Sequence, residues 1–182
     1  MAGQLRIIAG QWRGRRLPVT AAAGLRPTAD RNRETLFNWL QGDLQGARVL
    51  DLFAGTGALG LEALSRGAAS AVLVERHRRA ASALKAAIEQ LDATALAQVI
   101  TDDALRFLKR PPAAKFDLVF IDPPFQSTLL AAVMPLLTQD EWLNPGAQIY
   151  LEAASMPMLP EHWTLRRGQS AGGVWYGLAV IG

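Results

Sequence analysis

The sequence predicts an α/β fold: a seven-stranded, mostly parallel sheet that ends in an antiparallel C-terminal hairpin and carries a small N-terminal β-hairpin extension. Three observations predict it. Short apolar runs alternate with helical patterns between residues 48 and 137, as βαβ units do. A glycine-rich turn, Gly55 to Gly60, separates the first of these runs from its helix. The alternation then stops, and two β-type runs flanking Gln169 to Gly173 close the chain.

Taken in order, Leu5 to Gly10 and Arg15 to Val19 flank Gln11-Trp12-Arg13-Gly14, which reads as a short basic hairpin. A stretch rich in Pro, Ala and Gly, 18 to 24, follows as a linker. Residues 1–24 therefore form an extension and residues 25–182 the main domain. Thr28 can cap a helix running to about Leu40, with Leu36, Phe37 and Leu40 on its apolar side. Arg48 to Phe53 reads as a buried strand, Ala58 to Arg66 as a helix, and Ala71 to Glu75 as a second strand. Arg78 to Leu91 is an alanine-rich helix, Gln98 to Thr101 a short strand, and Ala104 to Leu108 a brief helix. Phe116 to Ile121 is the fourth strand, Leu129 to Leu137 the next helix, and Gln148 to Ala153 the fifth strand. Trp163 to Arg167 and Val174 to Ile181 make the final hairpin, at the sheet's edge.

Composition narrows the chemistry. Half of the 182 residues are apolar, which suits a packed domain rather than a disordered one. No apolar stretch approaches the roughly 18 to 20 residues that span a bilayer. Met1 to Gly10 lacks the apolar core of a signal peptide, so a cytoplasmic protein with no membrane partner is expected. The chain has no cysteine and two histidines, His77 and His162, in unrelated segments. A metal site or a Ser-His-Asp triad is therefore not expected. Net charge is +3, but residues 1–33 hold seven arginines against Asp30, and the remaining 149 residues sum to −3. A segregated basic end suits a nucleic-acid contact through Arg13, Arg15, Arg16, Arg26, Arg31 and Arg33, although a charge run can equally be a solvated face.

Gly55 to Gly60 fits G-x-G-x-x-G after a strand and before a helix, and Glu75 lies 24 residues beyond Asp51 at the end of the next strand. That is the Rossmann-like arrangement, in which Gly55 and Gly57 let the backbone approach a nucleotide and Glu75 binds ribose hydroxyls. Asp51 and Phe53 stand beside this loop. A carboxylate at Asp51 would repel a pyrophosphate but attract the sulfonium and ammonium of S-adenosyl-L-methionine. S-adenosylmethionine is the expected cofactor. Asp103 is placed to accept from its adenine amino group, with Asp102 capping the following helix.

Asp122-Pro123-Pro124-Phe125 leaves the fourth strand at its carboxyl end, where ligands bind in open α/β sheets. Asp122, which also borders the cofactor site, can accept a hydrogen bond from an exocyclic amine. The Pro123 carbonyl, held by Pro124, can accept another. Phe125 can stack on a base for roughly 1 to 3 kcal/mol. Asp and Pro are also ordinary turn residues, so the tetrapeptide gains its meaning from the glycine loop and the acids around it.

The chain thus resembles class I S-adenosylmethionine-dependent methyltransferases. Gly10-Gln11-Trp12-Arg13-Gly14-Arg15, Leu25-Arg26-Pro27-Thr28, Arg31-Asn32-Arg33-Glu34-Thr35-Leu36-Phe37-Asn38 and Asp51-Leu52-Phe53-Ala54-Gly55-Thr56-Gly57 resemble, in order, the RsmD-type guanine-N2 methyltransferases of small-subunit ribosomal RNA. Asn32 departs from that pattern, which has an apolar residue there. The resemblance implies methyl transfer to N2 of one guanine in 16S rRNA, with the small ribosomal subunit as partner; a monomer is expected. Two other readings remain: a DNA adenine or cytosine N-methyltransferase on the same core, and a non-catalytic RNA-binding module that keeps a cofactor pocket.

Overall fold

The computed structural model describes residues 4–19, 27–124, 128–139 and 141–182; Phe125, Arg26 and residues 20–24 of the expected linker lie outside them. The main sheet contains β3 (Arg48–Asp51), β4 (Ser70–Val74), β5 (Ala97–Ile100), β6 (Phe116–Ile121), β7 (Leu143–Ala153), β8 (Trp163–Ala171) and β9 (Val174–Ile181). Its order is β5-β4-β3-β6-β7-β9-β8. The pairs β3–β4, β4–β5, β3–β6 and β6–β7 are parallel, while β9 runs antiparallel to both its neighbours. The chain therefore works outward to β5 and returns to β6 beside β3. Ligands bind at such a switch point, outside the carboxyl ends of the strands.

The C-terminal hairpin is not simply appended at the edge. Its second strand, β9, is inserted between β7 and β8, so β8 alone forms the edge. The sequences explain the order: Val174 to Ala179 are all buried, whereas Arg166 to Ser170 are exposed. Strand β7 also starts five residues earlier than its apolar run suggests, because Leu143 pairs with Phe116 across an irregularity in the β6–β7 ladder.

Successive strand residues face opposite layers. Val49, Leu118, Phe120 and Tyr150 face one core, which takes α1 (Pro27–Trp39), α2 (Ala58–Ser65) and α3 (Arg78–Gln90). Leu50, Val119, Ile121, Ile149 and Leu151 face the other, covered by α4 (Ala104–Leu108) and α5 (Leu129–Gln139). Helix α1 begins at Pro27, one residue before the expected cap Thr28, and proline suits the first helical position. The Phe37 ring meets Phe120 edge-on at 6.1 Å, which lays α1 across β6.

The N-terminal hairpin, β1 (Gln4–Arg6) against β2 (Arg16–Pro18), has its own two-stranded sheet. Its apolar residues Leu5, Ile7, Trp12, Leu17 and Val19 nevertheless join the α1–α3 core. The fully buried Glu62 of α2 holds it, accepting from the Ile8 and Ala9 amides at 2.9 and 3.0 Å. Ser65 adds two more bonds, accepting from Trp12 N and donating to the Ala9 carbonyl. The approach is so close that a Cβ on Gly10 would sit 1.8 Å from the Ser65 carbonyl oxygen, and its φ of +83° suits glycine.

Candidate active site

Four parallel strands deliver acids to one cavity of about 480 Å³ at the switch point. Asp51 ends β3, Glu75 follows β4, Asp102 and Asp103 follow β5, and Asp122 follows β6. Phe53, Gly55, Pro123 and Pro124 border the same space, so most of the expected site residues converge there. Gly57 stands behind it as the N-terminal cap of α2, in the left-handed conformation. A Cβ there would come within 2.5 Å of Leu84 Cδ1, so this turn requires glycine.

Asp51 is buried, and its Oδ2 accepts from the Gly60 amide at 3.1 Å. Burial pushes its carboxyl up to about 7, against the opposing hydrogen bonds from Gly60 and Phe53. Glu75 holds the glycine loop itself: Gly55 N donates to Oε2 at 3.0 Å and His77 N to Oε1 at 2.7 Å.

Of the two acids after β5, the capping role falls to the one the sequence does not suggest. Asp103, not Asp102, caps α4, because it immediately precedes Ala104 and its Oδ1 reaches the amides of Leu105 and Arg106 at 3.0 and 3.2 Å. Both bonds use Oδ1, so Oδ2 keeps its capacity to accept from a ligand. Asp102 instead pairs with Arg110 and Arg106.

One acid in the cavity is not apparent from the motifs. Glu152, in β7, borders the cavity and accepts from the Tyr150 hydroxyl at 2.6 Å. Its signal in the sequence is positional: it lies near the carboxyl end of the fifth parallel strand, as Asp51, Glu75 and Asp122 lie at or just beyond the ends of theirs. Burial raises the Asp122 carboxyl well above the usual carboxylate range, and the nearby charges of Glu152 and Asp51 raise it further. Burial also raises Glu152, opposed by hydrogen bonds from Tyr150 and Asp122. Asn32 borders the cavity too, with its buried Oδ1 lacking a partner.

Six carboxyl groups against Arg76 and His77 make this a site for a ligand with cationic or hydroxyl groups rather than phosphates. That donor set fits S-adenosylmethionine. Among the described residues no group of three or more His, Cys, Asp or Glu could hold a metal ion. No helix of the described residues is long and apolar enough to cross a membrane.

The basic residues divide. Arg13, Arg16 and Arg31 are exposed, and the exposed Arg15 donates to the Gln90 carbonyl at 2.7 Å. Arg33 is a correction to the expected contact surface: it is buried, donates to the Arg6 carbonyl at 2.7 Å and pairs with Asp30 at 3.3 Å. It ties α1 to β1. The hairpin runs along α2, from Trp12 beside Ser65 to Val19, which shares a crevice with Gly55 and Thr56 at the cavity.

Comparison with known proteins agrees with this geometry. A family model described as conserved hypothetical protein 95 matches residues 5–179. The chain is 47% identical over 180 residues to the ribosomal RNA small subunit methyltransferase D of Escherichia coli strain K12, covering 97% of this chain and 90% of that one. It is 46% identical to the protein of the same name from Haemophilus influenzae, covering 97% and 93%. A solved structure of Escherichia coli yhhF, described as a proposed methyltransferase, superposes with a TM-score of 0.92 at 47% identity, covering 98% of each chain.

Proposed function

The chain belongs to the family of that model, the RsmD family of small-subunit ribosomal RNA methyltransferases, and from this premise we propose that it methylates the exocyclic N2 of one guanine in 16S rRNA. The observation that carries the proposal is the placement of Asp122-Pro123-Pro124 at the carboxyl end of β6, facing the acid-lined cavity of the glycine loop.

The residues divide between two ligands. Gly55 and Gly57 shape the loop, Glu75 takes the ribose hydroxyls, Asp103 Oδ2 the adenine amino group, and Asp51 the amino-acid ammonium, with Phe53 alongside. S-adenosylmethionine supplies there an electrophilic methyl group on a sulfonium. Asp122 and the Pro123 carbonyl accept the hydrogens of the guanine amine. They thereby localise and aim a lone pair that is otherwise conjugated into the ring. The guanine leaves its stack to enter, at a cost of a few kcal/mol. The stacking role proposed for Phe125 rests on sequence alone. Arg13, Arg15, Arg16 and Arg31 would grip phosphates along the hairpin and α1, with the substrate an assembled or assembling subunit.

Incubation with methyl-labelled S-adenosylmethionine and either plasmid DNA or small subunits tests the reading. Label in 16S rRNA supports it. Label in DNA would point to a DNA N-methyltransferase, and cofactor binding without label to a non-catalytic module.

A further inference from the structure

The methyl-transfer reading leaves one proton without a destination, because a methylated amine must lose a hydrogen. We propose that Glu152 receives this proton through Asp122, with the Tyr150 hydroxyl fixing Glu152 as the acceptor. The inference rests on the function proposed above but makes a separate claim about the residues.

Register places the pair. The last partners of the parallel β6–β7 ladder are Ile121 and Leu151, so Asp122 and Glu152 come next on adjacent strands, which lie about 4.8 Å apart. Paired residues face the same side, and both line the cavity. Tyr150, two residues before Glu152 and on its face, donates to Oε1 at 2.6 Å. The Tyr150 ring is itself wedged against Phe120 at 6.2 Å and Tyr176 at 6.4 Å, and Gln169 donates to the Tyr176 hydroxyl. Besides Tyr150, the other titratable group facing the pair is Asp51 from β3, while Tyr176 from β9 faces Tyr150. From α1 the neighbouring Asn32 is neutral and Arg33 is turned to Arg6. No salt bridge among the described residues involves either carboxyl.

Two carboxyls so placed share one proton. The Tyr150 hydroxyl stabilises charge on Glu152, so the proton resides on Asp122. As an acid, Asp122 offers its carbonyl oxygen to the substrate amine and its O–H to Glu152. The amine lone pair forms the N–C bond as the C–S bond breaks, and the electrons of that bond remain on sulfur. The nitrogen, now cationic, passes one proton to the Asp122 carbonyl oxygen while the original Asp122 proton moves to Glu152. The pair goes from one proton to two and from one negative charge to none, balancing the cation consumed. The second proton then leaves to water. Glu152 acts through Asp122 and is a positioning residue in this scheme.

Single-turnover transfer to small subunits, followed against pH in wild type, Tyr150→Phe, Glu152→Gln and Glu152→Asp, tests the relay. Tyr150→Phe should move the acidic limb to higher pH while its plateau stays within about 3-fold, since the lost hydrogen bond favoured the charged acceptor. Glu152→Gln should lower the plateau by at least ~10-fold with cofactor affinity unchanged, and Glu152→Asp should recover part of it. Carboxyl 13C NMR of the free enzyme should show the pair titrating in two separated steps, reduced to one in Glu152→Gln. An unmoved limb, a wild-type plateau in Glu152→Gln, or a single-step wild-type titration overturns the relay. The titration needs no substrate, so a wild-type enzyme that shows two steps but methylates no subunit refutes the proposed function while upholding the pair.

Discussion

Glu62 and Arg66 form an ion pair at 2.8 Å in which the carboxylate is fully buried and serves the N-terminal hairpin more than the arginine. The same carboxylate takes the Ile8 and Ala9 amides, and Arg66 in turn lies over the Phe37 ring at 4.8 Å. One buried acid thus joins hairpin, α2 and α1. Glu62→Ala should cost about 3 to 5 kcal/mol, the usual effect of breaking a buried ionic network from one side. Denaturant unfolding measures it, and a loss below about 1 kcal/mol would mean that apolar packing alone holds the hairpin.

Glu75 has a dual task, since it braces the Gly55 amide and faces the cavity. Glu75→Ala should weaken S-adenosylmethionine by roughly 1 to 3 kcal/mol through lost charge-assisted bonds. Glu75→Gln should recover part of that loss, because an amide oxygen can still accept from Gly55. Calorimetry giving wild-type affinity for the alanine variant would remove Glu75 from the site.

Asp51 couples stability to pH. Its native carboxyl titrates at about 7 against an ordinary 3.8, so the folded state holds this proton more tightly than the unfolded chain. The stabilisation is complete below the unfolded value and is lost as pH rises from about 4 to about 7, by up to about 4 kcal/mol. Asp51→Asn, which keeps an acceptor for Gly60, should therefore gain stability relative to wild type across that window and hold a constant margin above it. Melting curves of both proteins at several pH values check this, and parallel curves would contradict it.

The arginines should separate by role. Replacing Arg13, Arg16 and Arg31 with alanine should flatten the slope of log affinity for the subunit against log salt by about 2, leaving cofactor binding and melting unchanged. Arg33→Ala should instead lower the melting temperature, since it strands the Arg6 carbonyl. If the triple variant keeps the wild-type slope, the RNA surface lies elsewhere.

These contrasts show which features were legible from the sequence. The glycine loop and the acids at strand ends are local patterns, so Asp51, Glu75 and Asp122 could be placed from spacing, and the cavity unites them. Element order was equally readable from apolar periodicity. Glu152 was not, because its partner Asp122 is thirty residues away and meets it only through the β6–β7 register. Glu62 looks like an ordinary solvated helix acid until the hairpin covers it. Arg33 reads as one more charge in a basic run, and its burial depends on where β1 docks. The insertion of β9 between β7 and β8 is likewise non-local pairing, although the apolar run from Val174 to Ala179 carries its trace.

Nucleoside analysis of small-subunit RNA, after incubation of purified subunits with the enzyme and methyl-labelled S-adenosylmethionine, tests the central claim most directly. Subunits from cells lacking this activity should gain N2-methylguanosine at a single position, and Asp122→Ala should lower the single-turnover rate at least ~100-fold while binding cofactor normally. Label on any base other than guanine, or an undiminished rate in Asp122→Ala, would contradict the assignment of the β6 carboxyl end as the place where the guanine amine is held.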